Sequence, residues 1–208
     1  MRKLVTGTFV SLDGVMQAPG GPSEDTDGGF DHGGWVFPYY TEKWGERVQE
    51  WMNAADVLLL GRKTYDIFAA HWPRVSDEDE MAARLNGMPK YIVSRTLKSA
   101  DWNNSTVIGD IPNDVAALKE AGDGEIQVTG SGNLIQSLME HDLVDEYRLI
   151  VFPVLIGSGK RLFAEGTAPS NLKLTSSQVL DNGVGIFTFE RAGKLEQGSF
   201  ELEETDPQ

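Results

Sequence analysis

The chain has 208 residues, 40% hydrophobic and 24% charged, which suits one domain large enough to bury its own core. Its net charge of −14 argues against nucleic-acid binding, which needs Lys and Arg against phosphates, and no apolar run approaches the roughly 18 residues of a membrane span. The absence of cysteine removes disulfides, thiolate catalysis and thiolate-ligated zinc. The short basic start, MRKLVTGTFVSLDG, is broken by Thr, Ser and Asp, so it reads as a first strand rather than a signal peptide, with a cytoplasmic location as the default.

Residues 2–10 are rich in Val, Thr and Phe and form the first expected strand, which Ser11-Leu12-Asp13-Gly14 ends. A Gly/Pro/Asp-rich loop follows from Gln17 to Gly34, and a loop of that length is usually functional or disordered. His32, Trp35 and Phe37 at its end indicate that it packs onto the body of the protein. From Thr41, a candidate N-cap, Trp44, Val48, Trp51 and Met52 recur at helical spacing. Asp56 to Leu60 carries the signature of a buried parallel strand and closes on Gly61. A short helix is expected from Arg62 to Ala70, and another over Met81 to Leu85 behind an acidic run at Asp77. Strands follow at KYIVS (90–94) and at Thr106 to Ile108, then a helix from Asn113 to Ala121. The stretch Glu125 to Met139 compresses a strand, the turn Gly130-Ser131-Gly132 and an amphipathic helix into fifteen residues. A strand from Glu146 to Val151, a turn-bearing loop from Pro153 to Gly159, and two β-rich runs (173–180 and 185–191) complete the pattern. Asp181-Asn182-Gly183 between those runs is a hairpin turn. The sum is an α/β domain with a mostly parallel sheet and antiparallel strands at its C-terminal edge, followed by a polar, acidic tail with weak alternation in SFELE.

Four turns fall beyond the carboxyl ends of strands, where a doubly wound sheet gathers ligands. They are Ser11-Leu12-Asp13-Gly14, Gly61-Arg62-Lys63-Thr64, Ser94-Arg95-Thr96 and Gly130-Ser131-Gly132. Arg62 and Arg95 can each meet a phosphate bidentately, and Thr64, Ser94 and Thr96 can donate hydroxyl hydrogen bonds. Exposed N–H groups and a helix dipole make the glycine turn an anion site. Read alone, that turn is equally a plain strand-to-helix connection, because Ile135 stands where G-x-G-x-x-G needs its third glycine. The arginine turns precede the glycine turn, the reverse of the order in a Rossmann unit, and Val154 stands where a Walker loop ending at Gly159-Lys160 requires glycine. His32, His71 and His141 show no metal-ligand spacing, and Ser131 lacks the nucleophile-elbow pattern. The five tryptophans read as core or cleft wall.

Taken together, these turns resemble the dihydrofolate reductase-like family, most closely the branch containing the C-terminal reductase domain of the bifunctional riboflavin biosynthesis enzyme. The resemblance rests on LVTGTFVSLDG (4–14), VLLLGRKTYDIF (57–68), KYIVSRTL (90–97), IQVTGSGNLIQSLMEHDLVDEYRL (126–149) and FPVLIGSGKRLF (152–163), and covers residues 2–191. It implies a single-domain dihydrofolate reductase-like fold over residues 1–192, with helices on both faces of the sheet, and an acidic tail from 193 to 208. It also implies NADPH as cofactor. Gly61, Arg62 and Thr64 would line the cofactor phosphates, and Ser94 and Arg95 would read the adenosine 2′-phosphate. Thr129, Gly130, Ser131, Gly132 and Leu134 would form the turn under the pyrophosphate. Asp13 would face the cleft as the catalytic polar group, and Trp35, Gly157, Gly159 and Lys160 would border the substrate. Glu42, Glu46 and Glu50 lie on the first helix, but none is preceded by the apolar-Pro segment of true dihydrofolate reductases, so dihydrofolate is not implied as the substrate. The zinc-dependent deaminase domain of the bifunctional enzyme is absent. The expected function is reduction of a C=N or C=O group in a small pterin-, pyrimidine- or related heterocycle by a homodimeric enzyme, with a non-catalytic nucleotide-binding protein and a plain structural domain as the alternatives.

Overall fold

A computed structural model describes residues 1–200 of the chain. Eight strands are hydrogen-bonded into one sheet: β1 (Lys3–Ser11), β2 (Ala55–Gly61), β3 (Lys90–Val93), β4 (Ser105–Ile108), β5 (Glu125–Val128), β6 (Glu146–Phe152), β7 (Ser170–Val179) and β8 (Gly185–Lys194). Their order is β4-β3-β2-β5-β1-β6-β8-β7. β1 to β6 run parallel to their neighbours, and the hairpin β7–β8 adds two antiparallel strands at the edge of β6. The helices are α1 (Glu42–Ala54), α2 (Arg62–His71), α3 (Glu80–Gly87), α4 (Ile111–Glu120) and α5 (Gly132–Glu140). The expected fold class and the order of elements are therefore present. The SFELE alternation expected in the tail extends past residue 200, and its remainder, like residues 201–208 as a whole, lies outside the described residues.

Strand alternation divides the sheet into two buried faces. On one, Val57 and Leu59 of β2 and Ile126 and Val128 of β5 pack with Val115 and Leu118 of α4 and Leu134, Ile135 and Leu138 of α5. On the other, Leu58 and Leu60 pack with Met52 of α1, Leu85 of α3 and Ile92 of β3. A third cluster joins Ile150 and Phe152 of β6 to Trp44 of α1 and to Phe30 and Trp35 of the long loop. That loop is therefore packed, as its aromatic residues indicate, although Phe37 itself stays in solvent.

Local chemistry sets the element ends. Asp79 and Asp110 cap α3 and α4 by accepting from the N–H groups of Ala82 and Asn113. Thr41 occupies the N-cap of α1, but its hydroxyl makes no capping bond. At the amino edge of the parallel strands, Arg148 forms a bidentate pair with Glu125 at 2.7 and 2.8 Å and donates to Glu146 at 2.6 Å. Lys3 then bridges Glu146 and Glu190, so five charges tie β5, β1, β6 and β8 together.

Lys90 is fully buried at the start of β3. Its ammonium donates to the carbonyls of Leu85, Met88 and Asn86 and sits 4.4 Å from the centroid of a Trp102 ring. Burial pushes its pKa down to about 8, which still leaves it cationic at neutral pH against the carbonyl end of α3. Lys90→Met removes the donor for three carbonyls, and the expected loss of stability is about 2–3 kcal/mol by denaturant titration. A variant as stable as the parent would show that these bonds add nothing.

Candidate active site

The parallel pairing of β2 with β5 places the carboxyl ends of these two strands side by side. The chain leaves β2 at Gly61 and β5 at Gly130-Ser131, and each residue there is pressed against its counterpart. The N–H of Gly61 donates to the carbonyl of Gly130 at 3.0 Å. A Cβ on Gly61 would collide with the Ser131 side chain, and a Cβ on Gly130 would lie 2.7 Å from Thr64 Oγ1. Only two glycines allow this approach, and its result is that α2 and α5 begin next to each other. Neither has a side-chain cap, in contrast to α3 and α4. The first N–H groups of both helices are thus left for an external acceptor, and two positive dipole ends converge on one spot. Thr129 Oγ1 beside them is buried without a hydrogen-bond partner.

These residues form one end of a cleft of about 480 Å³. A second side of its wall is apolar, with Val48, Trp51 and Met52 of α1, Ile67 and Phe68 of α2, and Leu85 of α3. The long loop closes the remaining side. Gln17 shapes it, donating from Nε2 to the carbonyls of Asp25 and Asp27 and accepting at Oε1 from the Lys160 N–H. Lys63, on the first turn of α2, pairs with Asp25 and Asp27, and Lys160 pairs with the same two carboxylates at 2.7 Å each. Lys160 and then Lys63 hold the Asp27 carboxyl down at about 2, and the two overcome the opposing effect of burial at Asp25. Glu24 also lines the cleft; its Oε2 accepts from Gly20 and Gly21, and burial pushes its carboxyl above the usual range.

Among the residues expected to bind cofactor, the structure brings Thr64, Thr129, Gly130, Ser131 and Gly132 together along the cleft, with Gly61 packed behind them. Leu134 points instead into the core beneath α5. Arg62 is exposed, and its Nε–H donates to both carboxylate oxygens of Asp66 one turn along its own helix. Ser94 and Arg95 follow β3, whose Val93 pairs with Gly61, so the two arginine-bearing turns leave the sheet side by side outside the cleft. The Ser94 hydroxyl accepts from the N–H groups of Thr96 and Leu97.

Several expectations need correction. Asp13 does not line the cleft. Its carboxylate accepts from Ser11 Oγ at 2.6 Å and from the N–H groups of Ile156 and Gly157, pinning the 153–157 loop to the end of β1. Trp35 is buried, donating its indole N–H to the Gln17 carbonyl and meeting Phe152 edge-on, so it supports the loop rather than a substrate. Gly157 lies outside the cleft in a left-handed turn, and at Gly159 a side chain would strike Phe30 and Val15. Of that group only Lys160 reaches the cleft. Sequence reasoning named the turn that holds Lys63 without giving that lysine a role, and passed over Asp25, Asp27 and Glu24, which carry no motif.

A family model for the RibD C-terminal domain matches residues 2–186. The chain belongs to the RibD C-terminal domain family. This member of the family is 29% identical over 191 residues to the uncharacterized protein YyaP of Bacillus subtilis (strain 168), covering 88% of this chain and 92% of that one. Among solved structures it resembles a Shewanella sp. PV-4 protein assigned by its name to riboflavin biosynthesis, with a TM-score of 0.68, 24% identity, and 92% and 99% of the two chains covered. It also resembles the dihydrofolate reductase of Enterococcus faecalis complexed with NADP(H), with a TM-score of 0.59, 12% identity, and 91% and 96% covered. These two likenesses establish the dihydrofolate reductase-like fold, and with the family match they make this a reductase-type fold.

The Ser11 hydroxyl, joined by the N–H groups of Gly157 and Ile156, holds the Asp13 carboxyl at about 2, below its ordinary 3.8. A depressed folded-state value stabilises the protein above the ordinary carboxylate range, and the benefit is lost as the pH falls through about 2. Asp13→Asn should therefore lower Tm at neutral pH, by an amount that shrinks steadily from about pH 4 downward. A deficit equal at pH 7 and near pH 2 would show that the ionised carboxylate is not what holds the loop.

Proposed function

We propose that the protein is an NADPH-dependent reductase that delivers hydride to a C=N or C=O carbon of a small heterocycle of the pterin or pyrimidine type. The observation that carries this reading is the meeting of two uncapped helix N-termini at Gly130-Ser131-Gly132 on the edge of a mainly apolar cleft. The residues fit a dinucleotide: free N–H groups on the first turns of α2 and α5 and the hydroxyls of Thr64, Ser131 and Thr129 suit a pyrophosphate. Arg62, Ser94 and Arg95, on adjacent strand ends, suit a 2′-phosphate, with Arg62 exchanging its pair with Asp66 for it.

NADPH, when bound, supplies the hydride. The chain's own part is to orient and to exclude water. The aromatic and aliphatic wall from Val48 to Leu85 dries the reacting region, which strengthens every polar contact in it. With Asp13 turned away, Glu24 is the acid available to the cleft, since burial favours its protonated form and only Oε2 is engaged by backbone N–H groups. In this reading Glu24 gives the proton that balances the hydride. Asp25 and Asp27 are held ionised by the two lysines and do not serve.

Two measurements test this. NADPH should bind more tightly than NADH by about tenfold or more, the value of one charge-assisted contact, and Arg95→Ala should narrow the gap. Equal dissociation constants in the parent protein would sink the cofactor assignment. Glu24→Gln should lower kcat by roughly 10²–10⁴-fold while leaving NADPH affinity intact, and should flatten the decline of activity with rising pH. An unchanged kcat would remove Glu24 from the proton's path. NADPH binding without turnover of any pterin or pyrimidine would favour a nucleotide-binding protein that does no chemistry.

A further inference from the structure

β5 turns Ile126 and Val128 into the core beneath α4 and α5, and turns Gln127 and Thr129 into the cleft. Gln127 is only 2% exposed, yet its Oε1 is buried without a partner, and neither end of its carboxamide makes a hydrogen bond among the described residues. Leaving such a group unsatisfied opposes folding, so native proteins do so rarely, and it calls for an explanation. The surroundings show that the amide has been given its place. A Cβ on Gly7 of β1 would collide with Gln127 Nε2, so this glycine clears the space in which the amide lies. Trp51 stands beside it, with Cε3 3.7 Å from the same Cβ position. Gln127 is two residues along the strand from Thr129, about 7 Å from the polar end of the cleft, and next to the apolar wall.

A carboxamide presents one acceptor beside one donor, whereas a carboxylate presents two acceptors. A carboxylate at such a position pairs with an amidinium edge, two donors side by side. A carboxamide pairs instead with an adjacent C=O and N–H, the edge of a lactam or imide. The cations that line the cleft, Lys63 and Lys160, are already paired with Asp25 and Asp27, so away from the two helix ends the cleft presents no unpaired cation to a charged substrate among the described residues. We infer that Gln127 is the specificity-determining residue of the cleft, reading the lactam edge of an uncharged planar heterocycle that lies against Trp51. This rests on the reductase reading above and narrows its substrate class.

The same amide chemistry occurs in the nicotinamide carboxamide of the cofactor, and the test separates the two. Pteridine-2,4-dione and 2,4-diaminopteridine, which share a ring system and differ in that edge, are titrated into the NADP⁺-saturated protein with tryptophan quenching as the readout. NADPH affinity is measured separately on each variant. The parent should favour the dione. Gln127→Met, which keeps the volume, should weaken the dione about tenfold, and Gln127→Glu should reverse the preference, both with NADPH affinity changed less than about twofold. Gly7→Ala, which pushes the amide aside, should weaken the dione as Gln127→Met does, and supplies the test if the Gln127 variants fold poorly. Dione affinity that is absent in the parent, or indifferent to all three substitutions, overturns the inference. So does a loss of NADPH affinity with dione affinity intact, which would assign the amide to the nicotinamide. A parent protein that binds no NADPH defeats the reductase reading instead.

Discussion

The close approach of Gly61 to the Gly130-Ser131 peptide is the constraint on which the cleft depends. β2 and β5 are neighbours in the sheet, so their carboxyl ends would lie close in any case, but side chains on those ends would force the following turns apart. With hydrogen in their place, α2 and α5 start at one point and their dipoles add there. The arrangement leaves orphan N–H groups on both helices and forgoes capping bonds typically worth about 1 kcal/mol each. Burial of Leu134, Ile135 and Leu138 beneath α5 offsets that loss, at roughly 1.5–3 kcal/mol per large apolar side chain. α3 and α4, whose starts do not meet at this turn, keep their aspartate caps.

The two ends of the parallel sheet carry different chemistry. At the amino edge the largely buried Arg148 is shared by Glu125 and Glu146, and the half-exposed Lys3 links Glu146 to Glu190. A buried pair is strongly destabilising when one partner is removed, so the Arg148 pairs are costly to alter and hold β5 and β6 at this edge. Among the described residues, buried side-chain atoms without a hydrogen-bond partner occur at both ends of the sheet, with Arg2 Nε and Ser105 Oγ at the amino end, but Thr129 Oγ1 and Gln127 Oε1 belong to residues that line the cleft. In open α/β sheets ligands gather beyond the carboxyl ends of strands. Unsatisfied polarity on the cleft side is what a ligand would find complementary, and the charge network at the other end holds the strands that carry it.

The sequence was legible where local chemistry decides the outcome. Alternation and glycine punctuation located the strands, Asp181-Asn182-Gly183 marked the hairpin, and Gly130-Ser131-Gly132 marked the strand-to-helix turn. It misled where a side chain's direction is set by a distant segment. Asp13 ends β1 near the cleft, yet loop 153–157 supplies the N–H groups that draw its carboxylate away. Trp35 sits at the end of a loop that looked ligand-facing and serves as that loop's anchor. Lys63, Asp25 and Asp27 meet across about 40 residues with no pattern to announce them. Gln127 did leave a trace, since a glutamine between Ile126 and Val128 in a strand buried on both faces breaks the apolar pattern such strands follow.

The long loop is a wall with a loosely held tip rather than a lid that swings as a unit. Ala18, Phe30, Trp35 and Val36 are buried, and their burial fixes both ends of the segment to β6 and α1. Between them, residues 20–29 are largely exposed and are held by Gln17, by Glu24 against its neighbouring N–H groups, and by the Lys63 and Lys160 ion pairs. The pairs to Asp27, which is more than half exposed, contribute little individually and weaken as salt screens them. The tip nevertheless spans from the first turn of α2 to Lys160, so it touches both the phosphate-suited end of the cleft and the segment that Asp13 holds in place. A ligand that competes for Lys63 at the start of α2 therefore acts directly on the contacts that keep Asp25 and Asp27, and with them the neighbouring Glu24, at the cleft.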